Sequence, residues 1–365
     1  MVVRARNLYS YRTGRGPAWI ALYTDSKPEV PLTMLLNLTR GMGYSDERDR
    51  VYALLSLKGK LRNFIKPDYT KRVEDVFYDV ARIYATATSL QYLLHSVHHD
   101  EDWDPTTNTI PSWVPEWRQD LQKPLPENAD VQREYGPLSG FNRCDDSHSI
   151  NVMGISADVV LNIMPTTIPK DSSVGTLLYM AVFWSQHVNP LREGLSKPRV
   201  NTSDAHFLET ICCEDPSLYA VSIWKATFMI PGSTKILDRW SKDNSINLDA
   251  TAVNTIRTMN LSISNTLRDL KFGSEPAPFD DVRLRWGKRK LFATGQGYIG
   301  LGPRAMQSGD MVTLLNTCSL PAVLRAHEGH FYFVGYAYVA GMMRAEERLN
   351  MVRARGNAFK RIEIR

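Results

Sequence analysis

A chain of 365 residues with 43% hydrophobic side chains is long enough for a sizeable buried core and exceeds one typical domain. The net charge is only +5, and the longest nearly apolar run, about 174–184, is too short to cross a bilayer, so no membrane span is predicted. Cys144, Cys212, Cys213 and Cys318 have neither C-x-x-C spacing nor the density of a disulfide-stapled secreted scaffold, which fits a reducing, cytoplasmic setting.

In residues 1–40, Arg4, Arg6, Arg12 and Arg15 precede the first acid, Asp25, as in mitochondrial transit peptides. The simpler reading is a connector remnant from a longer ancestral frame. Residues 41–273 read as a mainly helical region. Ser45-Asp46-Glu47-Arg48-Asp49-Arg50 gives an acid-rich start that runs into apolar positions at helical spacing as far as Leu57. The clearest helix is expected within 67–95. There Pro67-Asp68-Tyr69-Thr70 offers a turn and an N-cap, and Val73, Val76, Phe77, Val80 and Tyr84 form one stripe. That stripe predicts burial against another helix, most simply the one beginning near Asp46.

Pro105, Pro111, Pro115, Pro124 and Pro126 forbid a long helix, so 100–140 is expected to be irregular. Within it, Pro111-Ser112-Trp113-Val114-Pro115-Glu116-Trp117 holds two indoles on a stiff segment, suited to plugging a groove as a structural clamp. A strand is expected near 150–161, and helices over 175–187, 204–227 and 248–270. Ser274-Glu275-Pro276-Ala277-Pro278 marks a boundary. Beyond it, 280–343 reads as a β module and 344–365 as a basic tail.

The sharpest hairpin lies within 322–339, turning at His327-Glu328-Gly329-His330. Its apolar side chains alternate onto both faces, which requires a closed or covered sheet, and the strand near 150–161 is the candidate to complete it. The fold class expected is α+β: a mostly α-helical region packed with a small C-terminal antiparallel β-sheet or barrel-like module.

Sequence motifs for catalysis fail on context. Gly295-Gln296-Gly297-Tyr298-Ile299-Gly300 matches a dinucleotide fingerprint, but Gly302 and Pro303 deny it the following helix and no acid stands about twenty residues on. These glycines read as turn and close-packing positions. His327-Glu328-Gly329-His330 lacks one residue of H-E-x-x-H. Asp100, Asp102 and Asp104 begin like a calcium loop, but Pro105 stands where Gly is needed and Pro111 where the closing carboxylate belongs, leaving an exposed acidic loop. His98 and His99 beside it could take only adventitious metal. There is no G-x-S-x-G elbow and no P-loop, and Cys212-Cys213 reads as a pair of small hydrophobes inside a helix. No catalytic residue, cofactor site or metal site is therefore assigned.

One electrostatic candidate remains. Asp281 to Arg365 contains fourteen Lys or Arg against six Asp or Glu, a balance of +8 that leaves −3 for residues 1–280. Arg283, Arg285, Lys288, Arg289 and Lys290 surround Trp286, a composition able to contact phosphate and stack a base. Alternation along a strand would equally turn some of these cations to solvent as edge protection. Arg353, Arg355, Lys360 and Arg361 add charge without pattern.

Three blocks in order resemble the fungal heterokaryon-incompatibility (HET domain) family: Asp46 to Leu57; the Pro111 to Trp117 segment; and Lys290 to Gly341, with Gly297-Tyr298-Ile299-Gly300-Leu301-Gly302-Pro303, Gly309-Asp310 and Val323-Leu324-Arg325. Tyr336 departs from the acidic residue and Ala340 from the His usual in that family. The resemblance is to the region downstream of the HET domain, with the N-terminal HET/TIR-like domain missing. It implies an intracellular recognition or regulatory protein, not an enzyme, in non-self recognition and programmed cell death. The partner it implies is a protein, related HET-family members included, and the chain would be a truncated paralogue. The rival readings are an enzyme, such as a TIR-like NAD hydrolase or a biosynthetic-cluster accessory protein, and a nucleic-acid-binding β module.

Overall fold

The computed structural model describes residues 32–55, 64–86, 90–119, 143–144, 148–165, 287–316, 318–354 and 359–365, with isolated positions between them. Helix α1 (Leu32–Leu38) buries Leu32, Leu35 and Leu36, and α2 (Asp49–Leu55) buries Val51, Tyr52, Leu54 and Leu55. The helix expected within 67–95 is two helices, α3 (Val73–Thr86) and α4 (Leu90–Leu94). Thr70 is not its cap, because the Asp68 carboxylate accepts both the Thr70 N–H (2.9 Å) and its hydroxyl (2.6 Å). That local turn competes with helix and delays its start.

The stripe on α3 is buried as its spacing requires, with Val76, Phe77, Val80 and Ala81 at 1% exposure or less. Its neighbours extend beyond the one helix expected. α3 packs on α4, and its aromatic side chains meet indoles: Phe77 edge-on to Trp117 at 5.2 Å and Tyr78 to Trp113 at 5.8 Å. Two buried tryptophans thus add their apolar area to the core in which α2 and α3 both take part.

The C-terminal sheet is antiparallel apart from one parallel pair. β1 (Arg143–Cys144) and the long β2 (Ile150–Ile163) come first, with β2 at the strand expected near 150–161. Then follow β3 (Arg289–Thr294), β4 (Ile299–Pro303), β5 (Met311–Leu315), β6 (Ala322–His327), β7 (His330–Tyr336) and β8 (Tyr338–Val339). Residues 344–365, marked by composition only as a basic tail, carry α5 (Ala345–Ala354) and β9 (Lys360–Ile364). Ile362 and Ile364 alternate with polar residues, a half-buried strand pattern hidden by the surrounding charge.

Hydrogen-bonded neighbours run β2–β5–β6–β7–β9 and back to β2, closing a ring. β2 changes partner along its length, taking β9 at 150–154 and β3 at 160–163. β7 behaves likewise: its start touches β9, and two residues beyond its end the chain pairs with β4 as β8. Closure removes the free edges that so few strands would otherwise expose.

Alternation along these strands feeds two cores. Val160, Phe292, Val312, Leu314, Val323, Val334 and Val339 gather inside the barrel with Met342 and Met351, the latter from α5. Leu291, Ile299, Leu301, Leu324, Phe333 and Tyr336 join the helices and both tryptophans on the other side. Gly300 is required by this packing, because a Cβ there would lie 2.5 Å from the Phe292 ring and 2.7 Å from the Tyr338 carbonyl.

The described residues thus establish a largely antiparallel, barrel-like sheet with helices against it. They do not establish a mostly helical region over 41–273, since the helices expected at 175–187, 204–227 and 248–270 fall outside them apart from isolated positions.

Candidate functional site

The polar residues of the first block hold the chain together. Asp46 accepts the Arg48 backbone N–H (3.0 Å) and its guanidinium (2.7 Å), while that guanidinium also donates to the Tyr69 and Lys71 carbonyls. Tyr69 donates to Asp49 at 2.6 Å, and Tyr52 to the Asp68 carbonyl at 2.9 Å. The block is therefore a staple between α2 and the 68–71 turn.

The Pro-Trp segment is a clamp in the same sense. Trp113 and Trp117 are fully buried, and Trp113 Nε1 donates to the His148 carbonyl at 2.9 Å. Ser112 Oγ accepts the Phe333 N–H of β7 (2.8 Å) and donates to the Arg365 carbonyl, to which the Ser112 N–H also donates (3.1 Å). The Ser112 carbonyl accepts His99 Nε2 at 3.1 Å, as does the Phe333 carbonyl at 3.0 Å, so this nitrogen carries the proton. Desolvation, outweighing those two acceptors, pushes His99 down to about 4. Its neighbour His95 is also pushed down to about 4, by burial and then by the charge of Arg289.

The five cations singled out from the sequence do not form one exposed row. Arg283 and Arg285 lie outside the described residues. Lys288 sits half-buried in a turn with φ +65°, Arg289 is buried at 3% exposure, and Lys290 reaches Glu101 at 2.6 Å. Burial lowers the Arg289 guanidinium to about 10. On the buried strand β3 the Arg289 side chain therefore lies in the protein interior, and Lys290 spends its charge on Glu101 of the 101–106 loop.

The fingerprint-like glycines are the β3–β4 hairpin. Gly297 has φ +83°, and Asp158 of β2 accepts the Gln296 N–H at 2.8 Å, so the turn is capped by a carboxylate where a phosphate cradle would need free amides. Glu328 and Gly329, both at positive φ, turn β6 into β7, which sets His327 opposite His330 in the register. Among the described residues no cluster of three His, Cys, Asp or Glu could hold a metal ion, and Cys213 and Cys318 are buried, unbridged thiols.

What the fold does build is a groove of about 380 Å³ between the 101–106 loop and the β6–β7 hairpin. Glu101, Asp102 and Asp104 line one side, and Arg325, His327 and Tyr332 the other. Trp103 is held at its base, stacked on His99 at 3.8 Å with Arg325 5.7 Å from its ring centre. Arg325 is neutralised by Asp310 through two bonds of 2.9 and 3.0 Å and also donates to the Ala305 carbonyl at 2.7 Å. Asp104 accepts the Thr106 hydroxyl (2.7 Å) and N–H (2.9 Å), which lower it below the usual carboxylate range. The sequence marked the acidic loop but not its opposing wall. The only trace of that wall was the two-sided alternation in the hairpin, which sends Tyr332 away from the face that Phe333 buries.

Residues 280–356 match the Het-6 beta-barrel domain, a span that holds strands β3 to β8 and helix α5. Heterokaryon incompatibility protein 6, OR allele, of Neurospora crassa is 23% identical over 352 residues, an alignment covering 83% of this chain and 49% of that protein. The chain thus spans about half the length of the curated relative it matches. No solved structure matches it. Among the described residues no helix is long and apolar enough to cross a membrane.

Proposed function

From a chain that resembles the C-terminal region of the fungal heterokaryon-incompatibility (HET) family and carries its Het-6 barrel, we propose a recognition or regulatory protein that works by binding another protein, not by catalysis. The partner class proposed is a related HET-family protein, and the process is non-self recognition leading to cell death. The observation that carries this reading is the distribution of polar groups. Arg48, Asp49, Tyr52, Ser112, Asp158 and the Asp310–Arg325 pair all serve to tie elements together. Among the described residues, the groove between the 101–106 loop and the β6–β7 hairpin opens to solvent with an aromatic wall and charged rim, the composition of a binding surface.

Two measurements test it. Purified chain mixed with a full-length HET-family protein should form a complex of micromolar affinity in sedimentation velocity, and the purified chain alone should leave NAD unconsumed. NAD turnover that scales with protein concentration would overturn the non-enzymatic reading, and absence of the complex would overturn the choice of partner. The nucleic-acid reading predicts binding that falls steeply with salt. The burial of Arg289 and Lys290 argues against it.

A further inference from the structure

Between Arg82 and Arg118 the sequence contains no Lys or Arg, yet Asp100, Glu101, Asp102 and Asp104 fall within five residues. The structure divides this acidic run by role. Asp100 is held by Arg304 and Glu101 by Lys290, two barrel cations that pin the loop to the sheet. Asp102 and Asp104 point the remaining charge at the groove, and neither forms an ion pair among the described residues. Across from them the positive charge of Arg325 is cancelled by buried Asp310, so the facing wall is the Tyr332 ring and the His327 imidazole, 5.5 Å apart.

Carboxylates on one side and a ring face on the other suit a guanidinium or ammonium group, which gains a charge-assisted hydrogen bond and a cation–π contact together. A phosphate would meet two uncompensated carboxylates. The groove volume of about 380 Å³ matches one or two side chains and is too small for a folded element. We propose that this groove, formed by Asp102 and Asp104 against Tyr332 and His327, binds an arginine- or lysine-bearing segment of a protein partner. The assignment rests on the recognition reading above and names the chemistry of its partner.

The test uses the whole chain and a fluorescein-labelled hexa-arginine peptide, with hexaglutamate as counterpart, followed by anisotropy. The chain carries a net +5, so general electrostatics disfavour a polycation and saturable binding must be local. Hexa-arginine should bind and hexaglutamate should not. The double variant Asp102→Asn/Asp104→Asn, at exposed positions where Asn keeps an oxygen to accept from Thr106, should weaken hexa-arginine at least fivefold with the melting temperature measured alongside as the check on folding. Tyr332→Leu should weaken it without altering the charge. Equal binding of both peptides, or unaltered affinity in the double variant, would sink the assignment. A full-length relative that binds wild type and double variant alike would leave recognition standing and remove the groove. A groove that passes the peptide test while the relative fails to bind would remove only the choice of partner.

Discussion

Ser112 joins three parts of the chain through one small residue: the His99 ring, the Phe333 amide of β7 and the carbonyl of Arg365. A hydroxyl can serve this purpose because it both donates and accepts, and only a short side chain brings the backbone close enough for its own N–H and C=O to take part. Ser112→Ala keeps the shape but leaves the buried Phe333 N–H without its acceptor. A loss of about 1–3 kcal/mol is expected. The check is a lower urea midpoint with an unchanged denaturant slope, whereas an unaltered midpoint would show that water replaces the hydroxyl. The Asp310–Arg325 pair acts similarly at the foot of the groove, since the carboxylate also accepts the Gln307 N–H at 2.8 Å and so shapes the turn beside it.

Strand β9 decides whether the barrel closes. It pairs with β2 over five residues and meets β7 at a single parallel pair, Phe331 with Ile364, reinforced by the Arg365 N–H donating to the Phe331 carbonyl at 2.9 Å. Ile364 is fully buried at that seam. Ile364→Ala should cost about 2–4 kcal/mol. Hydrogen exchange should also locate the damage: amides of 150–154 should exchange faster, while those of the β3–β4 hairpin keep their protection. Uniform loss of protection would instead mean that the barrel opens as one unit. The strand is easily overlooked in the sequence, because only two apolar residues alternate within a cationic tail. Its identity comes from the unpaired edge of β2 that it covers.

Over the whole molecule, the interface between helices and barrel stores a pH dependence. His95 and His99 take up protons near 6.5 when unfolded and only at about 4 when folded, so below pH 6.5 the unfolded chain binds more protons. The stability these neutral imidazoles allow is complete above pH 6.5 and is lost as the pH falls towards 4. Each should account for a loss of about 2 kcal/mol between pH 7 and pH 5. Urea midpoints measured across that range should therefore drop, and a His99→Gln variant, which keeps a side-chain donor, should flatten the curve. A midpoint independent of pH in the wild type would refute the assignment of both rings.

Local elements whose signal is periodic or conformational were legible in the amino-acid order alone. The stripe on α3, the turn at 327–330, the strand near 150–161 and the glycine hairpin all follow from spacing and backbone freedom, and the family blocks follow from residue identity. Which of the conspicuous polar residues are structural and which face solvent emerged from the folded arrangement. Arg289 and Lys290 look like a surface patch in the sequence, but β3 is buried on both faces, so they turn inward. Asp102 and Asp104 lie more than two hundred residues from His327 and Tyr332, and the two pairs become neighbours only when the hairpin folds over the acidic loop. Burial and juxtaposition depend on the packing of distant segments, and no local pattern encodes them.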